Sequence, residues 1–158
     1  MMGNIFVLED TDRKFEKVNE VISATLGDSW RVFRASTMVE SEELLFAHNW
    51  DLFILDVSMN VTSRRPAFGA PAQATLGGLE VAKIITFEGL DAPTILVTAF
   101  DSFSDAKERG KSGALVDIGE VEDRAKAILG PYLLGAVRYG AKSWNIDLAR
   151  FLESIKEC

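Results

Sequence analysis

The sequence predicts an α/β protein built on a doubly wound parallel sheet, an expectation that rests on three features. Two short, continuous apolar runs end abruptly in acids: Ile5-Phe6-Val7-Leu8 before Glu9 and Asp10, and Leu52-Phe53-Ile54-Leu55 before Asp56. Unbroken runs of this kind are strands buried on both faces, which is what a parallel sheet between two helical layers demands. Strand-like and helix-like segments then alternate along the chain. Near the end, Leu148, Phe151, Leu152 and Ile155 follow the i, i+3, i+4, i+7 spacing of a helix that lays one face on a sheet.

Taken in order, the first strand closes at Glu9-Asp10. Phe15, Val18, Val21, Ile22 and Leu26 then recur at helical spacing, and Gly27 supplies a stop. Residues 30–34 alternate around Val32 as a second strand. Ser36 or Thr37 can cap a helix carrying Leu44, Leu45 and Phe46. The third strand ends at Asp56. A helix from about Gly78 carries Leu79, Val81, Ala82, Ile84 and Ile85, and Pro93 opens a fourth strand, Thr94-Ile95-Leu96-Val97-Thr98. A further helix is expected over 121–129. Two stretches, 60–77 with its two prolines and 101–120, have no convincing period and read as long loops leaving Asp56 and Thr98. No internal repeat is visible.

Composition narrows the class. A chain of 158 residues that is 47% hydrophobic suits one domain with a real core, expected to span 1–158 with the two loops as insertions. The balance of 17 basic and 24 acidic residues gives a formal net charge of −7, which argues against direct nucleic-acid binding by phosphate neutralisation. The one cysteine, Cys158, permits no internal disulfide and reads as an uninvolved terminal thiol. With no basic leader and no run of about 18 apolar residues, neither a signal peptide nor a membrane span is expected, and the location is read as cytoplasmic.

Glu9, Asp10 and Asp56 all fall at the carboxyl ends of strands, where open α/β sheets bind ligands. Three carboxylates in one crevice repel one another, and hard oxygen donors favour a cation such as Mg²⁺. The chain therefore reads as carrying a divalent-metal phosphate site.

These residues, together with Thr98-Ala99 after the fourth strand and Gly77-Gly78-Leu79-Glu80 opening the third helix, resemble the receiver domain of two-component response regulators over most of the chain. The resemblance implies a five-stranded, flavodoxin-like sheet. It further implies that Asp56 is the phosphoacceptor, Asp10 a direct Mg²⁺ ligand and Glu9 a ligand through water. Ser58 would lend its backbone carbonyl to the metal, and Thr98 would sense the phosphoryl group. A carboxylate can attack phosphorus to give an aspartyl phosphate while the metal neutralises charge on the transferring group. The family also carries a lysine after the fifth strand. Ala136-Val137-Arg138-Tyr139 followed by Gly140-Ala141-Lys142 supplies one, making Lys142 the active-site lysine and Tyr139 the switch aromatic. A competing register with the fifth strand at 113–117 has no lysine. The chain departs from the family at Asn60 and Ser143, where prolines are usual.

Implied partners are a histidine kinase or phosphotransfer protein and a downstream protein or second copy, with neither nucleic acid nor membrane. The implied output is a signalling contact, accompanied by autophosphorylation from a phosphodonor and autodephosphorylation. A degenerate receiver acting as a phosphorylation-independent interaction module, or a small Mg²⁺-dependent phosphohydrolase, are the alternatives. The haloacid dehalogenase type is disfavoured because its nucleophile follows the first strand with a second Asp two residues on, where this chain has Ser58 after Asp56. His48, at an expected helix end, is explained by the helix dipole. Arg64 and Arg65 read as solvated loop residues, and Trp30, Trp50 and Trp144 as core or boundary packing.

Overall fold

The computed structural model describes residues 2–57, 77–99 and 118–156. Within them the order is β1 (Gly3–Leu8), α1 (Asp12–Leu26), β2 (Trp30–Ala35), α2 (Met38–Leu45), β3 (Leu52–Leu55), α3 (Gly77–Phe87), β4 (Thr94–Thr98), α4 (Ile118–Leu129), a 3-10 turn (Gly130–Tyr132), β5 (Leu133–Arg138) and α5 (Trp144–Lys156). The five strands pair in the order β2-β1-β3-β4-β5, and every pairing is parallel. The sheet is thus the doubly wound, flavodoxin-like one expected, with its fifth strand at the Ala136-Val137 run. The inserted loops, Ser58, Arg64, Arg65, the alternative strand at 113–117 and Cys158 lie outside the described residues.

Side chains of the central strands are buried on both faces, as their unbroken apolar runs require. Phe6, Leu8, Phe53, Leu55 and Leu96 point into a layer closed by Leu45 of α2, Val81 and Ile85 of α3 and Val121 and Ala125 of α4. Ile5, Val7, Ile54, Ile95 and Val97 point the other way, onto Val18 and Ile22 of α1 and Leu148 and Leu152 of α5. Trp50 is buried at one end of the first layer, its ring 5.3 Å from Phe6 and 5.4 Å from Phe33. His48 belongs to the same aromatic group, 4.4 Å from Phe33, three residues past the end of α2. Its ring also lies 5.6 Å from Trp50.

Local chemistry sets the element ends. Thr37 caps α2 by accepting from the Glu40 N–H at 3.0 Å, and the Glu40 carboxylate accepts from the Ser36 N–H at 2.7 Å, so two otherwise orphaned donors are satisfied reciprocally. Between β4 and β5 the register shifts after Thr94, so that Gly135 pairs with Ile95. Gly135 has φ +156°, and a Cβ there would lie 2.5 Å from the Phe151 ring of α5, so only glycine lets that helix settle on the sheet. Among the described residues no helix is long and apolar enough to cross a membrane.

The reversal of winding between β1 and β3 leaves a crevice at their carboxyl ends. α3 starts directly beside it. A Cβ on Gly78 would stand 2.8 Å from the Asp56 carbonyl oxygen and 2.9 Å from the Val57 Cα, both backbone atoms that cannot turn aside. Gly78→Ala is therefore expected to lower stability, because about 1–3 kcal/mol of overpacking outweighs the ~1 kcal/mol that alanine gains in a helix. Denaturant unfolding checks this, and a variant as stable as the wild type contradicts it.

Candidate functional site

β1 lies between β2 and β3, and the backbone pairing continues one residue past the strands on both sides. The Glu9 N–H donates to Ala35 O of β2 at 3.0 Å and the Asp56 N–H to Leu8 O of β1 at 3.0 Å. This locks the two acids next to each other at the top of the sheet. Glu9 and Asp56 are each only 3% exposed, whereas Asp10 faces solvent. Carboxylate oxygens of all three lie within 4.8 Å of one another, a donor set that a hard cation fits.

The cation present in the described structure is a lysine, and it comes from an unexpected element. Lys14, in the first turn of α1, is 5% exposed. Its Nζ lies 3.1 Å from Glu9 Oε1 and 3.3 Å from Asp56 Oδ1, and it donates to the Val97 carbonyl of β4 at 3.3 Å. The same ammonium stands 5.5 Å from the centre of the Tyr139 ring. Lys142, the lysine expected here, is exposed in the turn after β5 and makes no ion pair with Glu9, Asp10 or Asp56. The turn from β5 into α5 carries the Lys142 side chain out to water, while Lys14 is already in contact with the carboxylates.

Thr98 ends β4 and is fully buried, and its Oγ1 has no hydrogen-bond partner among the described residues. A buried hydroxyl left unpaired costs free energy, so its position implies a partner supplied from elsewhere. The Tyr139 N–H donates to Thr98 O at 2.8 Å, and the half-buried Tyr139 ring packs on Trp144 at 4.8 Å. Tyr139 is thereby tied to the end of β4 and to Lys14 together. Ser58 is not among the described residues.

Arg34 completes the frame. From β2, its Nε donates to the Glu9 carbonyl at 2.9 Å, its Nη1 pairs with Asp12 Oδ1 at 2.8 Å, and its guanidinium lies 4.9 Å from the Phe15 ring. It therefore pins Glu9 to the start of α1. Neither Arg34 nor Lys14 belongs to the set of site residues expected from the sequence. Lys14 had a readable signal: Lys14, Val18, Ile22 and Leu26 are spaced by four, so the lysine shares the buried stripe of its helix.

Lys14 is shared between two buried carboxylates. Burial and the nearby Asp56 charge raise the Glu9 carboxyl to about 7 from its ordinary 4.5, against the opposing pull of Lys14 and a hydrogen bond from the Thr11 N–H. The folded protein thus holds a proton on Glu9 that the unfolded chain releases near pH 4.5. Its stability should fall as pH rises from about 4.5 to 7, the opposite of a carboxylate held down by its partner. Glu9→Gln is expected to flatten that slope. Melting scans across this range check it, and an unchanged slope in the variant contradicts the assignment.

Comparison with known proteins agrees with the fold. No family model matches the chain. It is 26% identical over 151 residues to the Detocs response regulatory protein DtcB of Enterobacter cloacae, an alignment covering 92% of this chain and 95% of that protein. Its structure is similar to a response regulator receiver protein from Pseudoalteromonas atlantica, with a TM-score of 0.64, 10% identity, and 98% and 97% of the two chains covered. The chemotaxis response regulator CheY4 of Vibrio cholerae gives 0.61 at 13% identity over 98% and 99%. The non-phosphorylated HemR receiver domain from Leptospira biflexa gives 0.59 at 20% over 99% and 95%. The chain has the receiver fold of response regulators.

Proposed function

We propose that this protein is a phosphoacceptor signalling domain that takes a phosphoryl group on Asp56 and uses it to switch a protein contact. The observation that supports this most directly is the convergence of Glu9, Asp10 and Asp56 at the carboxyl ends of neighbouring strands, their carboxylate oxygens within 4.8 Å of one another, a hard donor set for one divalent cation. Glu9, Asp10 and Asp56 would hold Mg²⁺, with the Ser58 carbonyl completing the set. The bound ion would supply neutralisation of the transferring phosphoryl group.

Within that setting each residue has a defined task. An Asp56 carboxylate oxygen attacks phosphorus, the new O–P bond replaces the bond to the donor's leaving oxygen, and that oxygen departs with the electron pair. Thr98 Oγ1, buried at the end of the adjoining strand and without a partner among the described residues, would donate to a phosphoryl oxygen. Tyr139, hydrogen-bonded through its backbone to Thr98, would carry the change to the surface formed with Trp144. The donor would be a histidine kinase or phosphotransfer protein and the reader a further protein or a second copy, in a cytoplasmic setting. Autophosphorylation from a small phosphodonor and slow autodephosphorylation belong to the same chemistry. A phosphorylation-independent module is the second reading, favoured by the exposure of Lys142.

Two outcomes test the proposal. Millimolar Mg²⁺ should raise the melting temperature of the wild type by relieving carboxylate repulsion, and Asp10→Ala should blunt the effect; identical, metal-insensitive melting in both would remove the metal site. Acetyl phosphate with Mg²⁺ should add one phosphoryl group, lost in Asp56→Asn, as read by intact-mass spectrometry. Modification that persists in Asp56→Asn would contradict the assignment, and an unmodified wild type would favour the second reading.

A further inference from the structure

The described structure brings a single ammonium into contact with the carboxylate proposed to react. Lys14 Nζ is 3.3 Å from Asp56 Oδ1, and its other contacts are Glu9 Oε1 at 3.1 Å and the Val97 carbonyl at 3.3 Å. Lys14 and Asp56 are both nine-tenths or more buried, so the pair acts in a low dielectric where a charge has its largest effect. The ammonium thus lies within reach of three oxygens, those of Glu9 after β1, Asp56 after β3 and the Val97 carbonyl of β4. Lys14 lies in the buried stripe of α1, in phase with Val18 and Ile22, which fixes where its stem enters the site and leaves the ammonium able to exchange one oxygen for another.

We infer that Lys14, from the first helix, is the catalytic cation that receives the phosphoryl group, and that Lys142 after β5 does not serve that role. This rests on Asp56 being the acceptor. As the Asp56 O–P bond forms and the donor's P–O bond breaks, two negative oxygens of the phosphoryl group arrive beside Asp56. Lys14 Nζ exchanges its contact with Asp56 Oδ1 for one of them, keeping the Val97 carbonyl as its pivot. No proton is transferred, so the charge of Lys14 serves throughout. Because the ammonium also lies 5.5 Å from the Tyr139 ring, its shift toward the phosphoryl group changes what that ring packs against.

The test compares Lys14→Met and Lys142→Met in acetyl phosphate with Mg²⁺, measuring both phosphorylation rate and Mg²⁺ affinity. Lys14→Met is expected to lose rate on the order of a hundredfold, at least about tenfold more than Lys142→Met. It should bind Mg²⁺ as well as the wild type or more tightly, since an ammonium no longer competes for Glu9 and Asp56. A purely structural lysine would instead lose metal binding and rate together. Should Lys14→Met fail to fold, nitrogen NMR of the wild-type lysine side chains decides: addition of beryllium fluoride with Mg²⁺ should move the Lys14 Nζ signal and leave that of Lys142. Lys14→Met at the wild-type rate, joint loss of rate and metal binding in a folded Lys14→Met, a loss in Lys142→Met as large or larger, or a shift confined to the Lys142 signal each overturns the inference. A wild type that accepts no phosphoryl group while Asp56→Asn behaves identically removes the acceptor reading itself, which is a separate failure.

Discussion

A single buried ammonium, shared between the carboxylates of Glu9 and Asp56, is the interaction around which the top of this sheet is arranged. Two ionised acids at the ends of neighbouring strands would repel strongly once buried, and the desolvation of each costs several kcal/mol in an interior of low dielectric. Lys14 offsets part of that cost and ties three elements in doing so, since it also donates to β4. The helix that carries it must start close above the sheet, which Arg34 ensures by holding the Glu9 carbonyl and Asp12 together. Gly78 lets the opposite helix come equally close on the other side of Asp56.

Burial, with the Asp56 charge beside it, gives Glu9 a carboxyl whose protonation falls near neutrality despite the pull of Lys14. Asp10, a third carboxylate, is exposed on the open side, and on the buried side the Thr98 hydroxyl has no partner among the described residues. Buried polar groups without partners are costly, so they persist where a ligand completes them. Asp10 and the Thr98 hydroxyl both lie at the carboxyl ends of strands beside Asp56, the setting from which the proposed phosphoryl and metal chemistry is argued.

The strands were legible because parallel strands buried on both faces leave unbroken apolar runs, and Leu8 to Glu9 and Leu55 to Asp56 are abrupt ends that also located the acids. Thr98 was legible for the same reason, being the last residue of Thr94–Thr98. The fifth strand could be chosen over its rival because α5 follows it directly. Lys14 was hidden by a strong prior: lysines on an amphipathic helix usually mark its solvent face. Only its phase with Val18, Ile22 and Leu26 distinguishes it, and a four-residue spacing from an apolar stripe is easily overlooked when Phe15 beside it reads as the start of that stripe. Lys142 attracted attention through its distance from a strand end, yet chain distance says nothing of where a turn directs a long side chain. A helix-end position likewise does not disclose that Phe33 of β2 lies against the His48 ring.

The most direct measurement of the central claim is a crystal structure of the protein with Mg²⁺ and beryllium fluoride. The account requires beryllium bonded to an Asp56 oxygen, with fluorides contacted by Lys14 Nζ and Thr98 Oγ1 and Mg²⁺ held among Glu9, Asp10 and Asp56. Beryllium absent from Asp56, or a fluoride held by Lys142 while Lys14 remains on Glu9 and Asp56, would contradict it.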